Sequence, residues 1–587
     1  MWSFLRLWLV LVAAAFSARA DFTSSSCPGV QLSADDFVAT ELFNKQGAEQ
    51  AARDSTLSEP VHMDVRVVND ASGKYDHSDI VFVQRTGDMK WFDGAAKTVT
   101  LMGHIDVHSG PGSQGDNGLM GVALDPAFET DHYLYAWYSP VETVYPNLQP
   151  GGQNRQLRLS RFTVKSDHTL DMASEKILIN ILGNRTDNWN SGGPMQFDAY
   201  GDLWVAVGTN GTDVDAVSCD AGGNVLSPTD SVQSAEWGAS NTHSLRGGFF
   251  RIHPDDSPKG YSIPKGNFGE YWADQFEKQG DTALAAQYRD TSKVLPEVYV
   301  KGERSNFSIA VHPTKRWLAW GSSNAGSTFD EFNIASHPIF GGFPYFHGDN
   351  IAICNHGKIA DKPVNTSPLN SGVKDLPPAV PGAINGLTNI AIGGPIYVFD
   401  PSLNNDFKFP PHFDDTWLMA GFDGGLWGVS VDSSGSVPQT EGAPIKLDGD
   451  GIFKNLPVRN FIQGMYGKDG ALYILNYDGA PYQSGVNPGA FRVTYKGACR
   501  VPVAAKRMRP SLPNIRIDPM GIAITESGSH VVSLYDLDGR RVWSDQGIGS
   551  RTYRFGDIRS RGGMRAGIYL AQVRTPNGEY SRPVSLF

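Results

Sequence analysis

The sequence predicts an all-β protein: a β-propeller, built from small sheets set radially, followed by a separate small β-sandwich. Three observations predict it. A phrase of apolar strand, Asp-, Gly- or Pro-rich turn and aromatic strand recurs between residues 115 and 477. The 587 residues include 65 glycines, 36 prolines and 13 tryptophans, a mix suited to many short strands and tight turns. The texture then changes near residue 500, where VPVAAKRMRPSLPNIR (501–516) is basic and punctuated by proline.

The elements follow in order. Residues 1–20, MWSFLRLWLVLVAAAFSARA, carry one early charge at Arg6, an apolar run from Leu7 to Phe16, and a small-x-small site at Ala18-Arg19-Ala20. This pattern is expected of a secretory signal peptide, and the run is short for a membrane span. It places the protein outside the cell, at its surface or in the periplasm. GDNGLMGVALDPAFETDHYLYAW (115–137) is the clearest copy of the recurring phrase. Further copies are GGPMQFDAYGDLWVAVG (192–208), NFSIAVHPTKRWLAWGS (306–322), PPHFDDTWLMAGFDGGLWGVSVD (410–432) and FIQGMYGKDGALYILNY (461–477). Each alternates apolar and polar residues as a half-buried strand does. Repeating a small sheet about an axis leaves few exposed edges. A β-sandwich would need fewer such units and does not predict one turn phrase returning so often.

Long insertions separate the copies: 209–245, 265–292 with the best helical pattern in the chain, and the polar stretch 348–390. Loops of this size on such a scaffold usually build the ligand face. The expected division is therefore 1–20 signal peptide, 21–500 propeller, 501–516 linker and 517–587 immunoglobulin-like β-sandwich. In the last, alternating strands surround a DG and an NG hairpin.

The net charge of −12 gives no electrostatic footprint for nucleic acid. Cys27, Cys219, Cys354 and Cys499 allow three pairings, and sequence alone does not choose among them. Cys27–Cys499 with Cys219–Cys354 is favoured, because the first pair would join the two ends of the large domain. There is no phosphate loop, HExxH or GxSxG.

The phrases also carry a resemblance. GDNGLMGVALDP, GGPMQFDAYGDLWVAVG, KGERSNFSIAVHP, FDEFNI with GGFPYF, and VRNFIQGMYGKDGALYILNYDG with NPGAFRVTYKG resemble, in order, the soluble quinoprotein glucose and sorbosone dehydrogenases. The resemblance spans most of 60–497. It implies a six-bladed propeller with pyrroloquinoline quinone (PQQ) at its mouth and a calcium ion beside the quinone. The implied substrate is a sugar or polyol, oxidised by hydride transfer to the quinone, with an external electron acceptor. In the tail, LYDLDGRRVW and AGIYLAQV resemble the C-terminal sorting modules of type nine secretion. That resemblance implies contact with secretion machinery or attachment to the cell surface.

Carried over residue by residue, the resemblance places the family's base histidine at Asn190, preceded by Trp189. An amide does not accept a proton at neutral pH, so the usual base is missing. Asp187 is the nearest titratable substitute, with His243 and His347 as others on neighbouring loops. Arg304 falls on the arginine that contacts the quinone oxygen, beside Ser305 in place of an asparagine. Asp116 replaces an active-site glutamine. Arg459 matches one of two arginines that hold quinone carboxylates, and Pro457 replaces the other. The calcium position falls on Ala325, Gly326 and Asp330, whose carbonyls would serve whatever their side chains. A catalytically degenerate propeller that binds carbohydrate or a protein partner is the other reading of these departures.

Overall fold

The computed structural model describes residues 27–586 except 28, 48–50, 110–114, 142–155, 184–189, 211–233, 324–329, 354–359, 404, 433–434, 436, 438–443, 500–514, 519–520, 526–527, 537–540, 556–557, 559–566 and 576–577. The expected signal peptide (1–20), Cys219 and Cys354 lie outside the described residues, as does most of the expected linker. The chain divides into two compact units, Met1–Val501 and Pro502–Phe587.

In the first unit the described residues form six successive sheets of four or five strands, plus one two-stranded ribbon. The innermost strands of the six are Pro60–Asn69, Leu119–Leu124, Met195–Phe197, Ala310–Val311, Ala391–Tyr397 and Phe461–Tyr466. Each touches the next, and the sixth touches the first, so the sheets close a cycle. The recurring phrase accounts for the first two strands of four sheets, and in the fifth sheet the copy at 410–432 supplies the second and third strands, Thr416–Gly421 and Leu426–Ser430. In 192–208, for example, Met195–Phe197 turns at Asp198–Asp202 into Leu203–Val207. Asp198 Oδ1 accepts from the amides of Tyr200 and Asp202, and Gly201 supplies the left-handed residue at φ +81°.

The aromatics of the phrase hold neighbouring sheets together. Trp137, Trp204, Trp320, Trp417 and Tyr473 occupy the second strand of sheets two to six, and all are fully buried. Burying an aromatic of this size removes roughly 150–250 Å² from water, so these five positions carry much of the core.

The last sheet is completed from the other end of the chain. Phe37–Asn44 pairs antiparallel with Gly489–Tyr495, from Phe37 opposite Tyr495 to Asn44 opposite Gly489. Cys27 and Cys499 form a disulfide just beyond that pairing. The expected helical insertion forms two helices, Phe268–Lys278 and Thr282–Arg289, the second capped by Asp281 Oδ1 accepting from the Leu284 amide. Among the described residues no helix is long and apolar enough to cross a membrane.

The second unit contains a three-stranded sheet (Ile515–Asp518, Gly521–Ile524, Arg551–Arg554) and a four-stranded sheet (Arg541–Ile548, Ser529–Tyr535, Gly567–Thr575, Gly578–Leu586). Ile522, Ile524 and Tyr553 from the first share a core with Val532, Leu534, Ala571 and Val573 from the second. The first strand starts at Ile515, inside the stretch read from sequence as linker.

Candidate active site

At one end of the ring, a narrow cleft of about 50 Å³ lies on the axis. Val61, Met120, Pro194, Phe307, Ile392 and Ile462 line it, one residue from each sheet or the turn entering it. Phe422, Tyr477 and Tyr482 add aromatic faces. Deeper along the axis, His62 bridges sheets. Its Nδ1 lies 3.0 Å from the Val122 carbonyl and its Nε2 lies 3.2 Å from Gln463 Nε2. Burial lowers His62 to about 4, so the imidazole is neutral.

The turns entering the inner strands bring three of the expected site residues together. Asp116 sits in the turn before Leu119–Leu124 and is wholly buried. Its Oδ2 accepts from the Ser191 amide at 3.1 Å, which ties it to the residue after Asn190. Its Oδ1 is buried with no hydrogen-bond partner among the described residues. Burial pushes this carboxyl up to about 7, against the opposing pull of nearby backbone amides and of Arg85. Arg85 is itself buried and paired with Glu59 at 2.5 Å.

Asn190 is nearly buried and left-handed at φ +57°, a conformation asparagine tolerates better than most residues. Its carbonyl accepts from the Asn210 amide at 3.0 Å, and the Arg304 carbonyl accepts from the Thr209 amide at 2.8 Å. The two strands of backbone approach so closely around Gly208 that a Cβ there would meet Asn190 O at 2.2 Å and Arg304 O at 2.9 Å. Arg304 is 4% exposed and donates from Nη1 to the Ser323 carbonyl at 2.6 Å. Ser323 Oγ in turn donates to Asp330 Oδ1 at 3.3 Å, while Asp330 Oδ2 accepts from the Ala391 amide.

The remaining expected residues fall elsewhere. Arg459 follows Pro457 on the approach to the sixth sheet, and its side chain is 64% exposed with Asp478 at 3.8 Å. It does not join the Asp116, Asn190 and Arg304 group. Asp187, Ala325 and Gly326 lie outside the described residues. His243 is partly exposed on the 241–246 loop, and its amide donates to Asn241 Oδ1. His347 is buried in the two-stranded ribbon, and burial lowers its basicity.

Three features of this region were not legible in the sequence. Tyr482 reaches the cleft from the loop after Leu472–Asn476 and holds φ +60°, a rare conformation for so bulky a residue. The Arg85 guanidinium lies over its ring at 5.8 Å, and Asp116 and Arg304 lie close enough to act on its hydroxyl. Lys301 is buried with Nζ donating to the carbonyls of Gly238, Ser244 and Arg246. Three acceptors require the ammonium form, which opposes the strong lowering that burial imposes on this amine.

The third feature is a set of buried oxygens. Ser322 is paired across the sheet with both Asn306 and Glu331, which puts the three side chains on one face. Glu303 reaches the same place, with Oε2 accepting from Trp320 Nε1 at 3.0 Å. Glu303 Oε1 and Asn306 Oδ1 are buried without hydrogen-bond partners among the described residues. Burial first, and then the Glu331 charge, hold the Glu303 carboxyl well above its ordinary range. Unpartnered buried oxygens around paired acids are the donor set of a hard cation such as calcium. The described residues contain no cluster of three or more His, Cys, Asp or Glu that could hold a metal. Any cation here would draw on amide and hydroxyl oxygens as well as the two carboxylates.

No curated protein matches the chain. Solved structures do. The apo form of the soluble aldose sugar dehydrogenase of Escherichia coli is 18% identical, with a TM-score of 0.47 over 78% of this chain and 99% of its own. The PQQ-bound aldose sugar dehydrogenase of Streptomyces coelicolor is 16% identical, with a TM-score of 0.45 over 74% of this chain and 99% of its own. The calcium structure of the Trichoderma reesei carbohydrate-active enzyme of family AA12 is 11% identical, with a TM-score of 0.40 over 79% of this chain and 97% of its own. Residues 73–255 match the family model described as Glucose / Sorbosone dehydrogenase, a stretch that runs from the first sheet into the third and contains both Asp116 and Asn190.

Proposed function

We propose that the protein is an exported quinone-dependent dehydrogenase, on a six-bladed β-propeller, that oxidises a hydroxyl of a sugar or polyol. The observation that carries the reading is the convergence of Asp116, Asn190 and Arg304 at one end of a closed ring of sheets. Two of the three lie within the matched stretch 73–255.

The residues fit a flat conjugated anion such as PQQ. Phe307, Phe422, Tyr477 and Tyr482 offer apolar faces to its rings, and the buried Arg304 guanidinium suits an oxygen that gains charge. When bound, the quinone supplies the two-electron acceptor for the substrate hydrogen. The chain's own groups position the substrate, exclude water and stabilise charge. Calcium fits the oxygen set of Glu303, Asn306 and Ser322, beside Glu331, whose oxygens accept from Asn333 Nδ2 and the Gly348 amide, and Asp330 with the carbonyls of Ala325 and Gly326 is a second candidate. The C-terminal unit serves export or surface attachment, as an immunoglobulin-like sorting module.

The test is reconstitution. The purified protein is mixed with PQQ and calcium, the bound-cofactor absorption is recorded, and aldoses are added with an artificial electron acceptor. Binding with turnover supports the reading. Binding without turnover favours the degenerate propeller that the asparagine at 190 also suits, and no binding removes the quinone altogether.

A further inference from the structure

We propose that Asp116 is the proton acceptor of this site, taking the part that Asn190 cannot play, with Tyr482 as the side chain that covers it. The inference rests on the dehydrogenase reading and deepens it.

Oxidising an alcohol to a carbonyl requires that the O–H proton leave as the C–H hydrogen departs with two electrons. A bound quinone would supply the hydride acceptor, and the proton needs a separate base near neutral pKa. Asn190 has no basic lone pair at working pH. Asp116 has one. Its Oδ2 is anchored by the Ser191 amide, next to Asn190 in the chain, while Oδ1 is buried with no hydrogen-bond partner among the described residues. A buried carboxylate oxygen without a donor is costly and is rarely kept without a use. Here the use is to receive the hydroxyl proton as the new C=O bond forms.

The groups facing Asp116 are consistent with a proton acceptor. Arg85 is charge-matched to Glu59, so it does not lock Asp116 as a permanent ion pair. Tyr482 and Tyr477 line the cleft, and Arg304 acts electrostatically on the Tyr482 hydroxyl as Asp116 does. Burial dominates and sets the carboxyl near 7, where it can both accept and release a proton. Tyr482 holds its left-handed conformation, lines the cleft and feels the Asp116 charge at its hydroxyl. Entry of substrate would shift that ring and open the path to Oδ1.

Two measurements test the proposal. In the protein without cofactor, potentiometric titration of wild type minus Asp116→Asn should yield one proton with a midpoint near 7. In the reconstituted enzyme, Asp116→Asn should lower kcat at least about 100-fold, leave PQQ affinity within a few-fold, and erase the acid limb of kcat/KM. A difference proton near 4, or a variant with wild-type rate and pH profile, overturns the assignment. Should Asp116→Asn not fold, Asp116→Glu carries the test: a lowered rate with a displaced acid limb supports it, and an unchanged profile overturns it. If wild type itself oxidises no sugar while binding PQQ, the dehydrogenase reading has failed and the base with it. That outcome is distinct from an active wild type matched by an active variant.

Discussion

Cys27 and Cys499 are bonded across 472 positions of sequence, with their Cα atoms 5.7 Å apart. The bond sits where the strand Phe37–Asn44 completes the sixth sheet against Gly489–Tyr495. The ring is therefore closed twice, once by backbone hydrogen bonds and once covalently.

Removing the bond should open that closure first. A loop this long restricts the unfolded chain strongly, and loss of a native disulfide costs about 2–5 kcal/mol. The Cys27→Ser, Cys499→Ser double variant should unfold at lower urea concentration than wild type. Amides of Phe37–Asn44 should lose hydrogen-exchange protection before those of Leu203–Val207. Equal protection in both strands would show that the backbone pairing alone holds the ring.

What the sequence made legible was local. Phrases such as Gly192–Gly208 contain their own strands, their turn and their aromatic, so the inner hairpins of four sheets could be read directly. Phe37–Asn44 could not be assigned to the sixth sheet, because its partner lies some 450 residues away in the chain and nothing in its alternation names that partner. The site divides in the same way. Asn190 and Arg304 could be singled out by phrase, but their contact depends on the backbone around Gly208. Glu303 and Glu331 were not singled out, since burial is not visible in a short window. Tyr482 gave no signal at all: its importance lies in a backbone conformation that residue type argues against.

Arg304 should matter for charge rather than for fold. Its backbone carbonyl is held by Thr209 whatever the side chain, so Arg304→Ala should stay folded. Loss of a buried guanidinium beside a developing oxyanion costs roughly 100- to 1000-fold in rate. Arg304→Lys should recover little of it, because an ammonium lacks the planar fork. Steady-state rates of the reconstituted variants decide this; full activity in Arg304→Ala would remove the arginine from the site.

Calcium should stabilise the first unit through the buried oxygens. A ligand at 100 times its Kd adds about 2.7 kcal/mol to the bound state. Thermal unfolding of wild type should therefore move up by several degrees with calcium and down with a chelator. Glu303→Gln keeps the shape but removes one negative charge, so most of the calcium-dependent shift should vanish. The same variant without calcium should be no less stable than wild type, since a neutral amide relieves two buried acids of their mutual repulsion. A calcium shift undiminished in Glu303→Gln would place the cation elsewhere.

Asp116 and His62 should impose opposite pH dependences on stability. Asp116 titrates near 7 in the folded protein and near 3.8 when unfolded. Between those values the folded state holds the extra proton, so the stability Asp116 contributes is full at low pH and is lost as pH rises, by up to about 4 kcal/mol. His62 titrates near 4 when folded and near 6.5 when unfolded. There the unfolded state holds the extra proton, so stability is full above 6.5 and is lost as pH falls, by up to about 3 kcal/mol. From about pH 4 to 6.5 the two slopes largely cancel, and only the Asp116 slope continues toward 7. Relative to wild type, Asp116→Asn should therefore lose stability on acidification from 7 toward 4, and should be more stable than wild type at pH 8. His62→Leu should expose the reverse, a fall as pH rises from 4 to 7. Asp64, raised to about 6, titrates in both variants and drops out of their comparison. Urea unfolding of the three proteins from pH 4 to 8 measures both slopes, and parallel curves for wild type and Asp116→Asn would mean the carboxyl at 116 keeps an ordinary pKa.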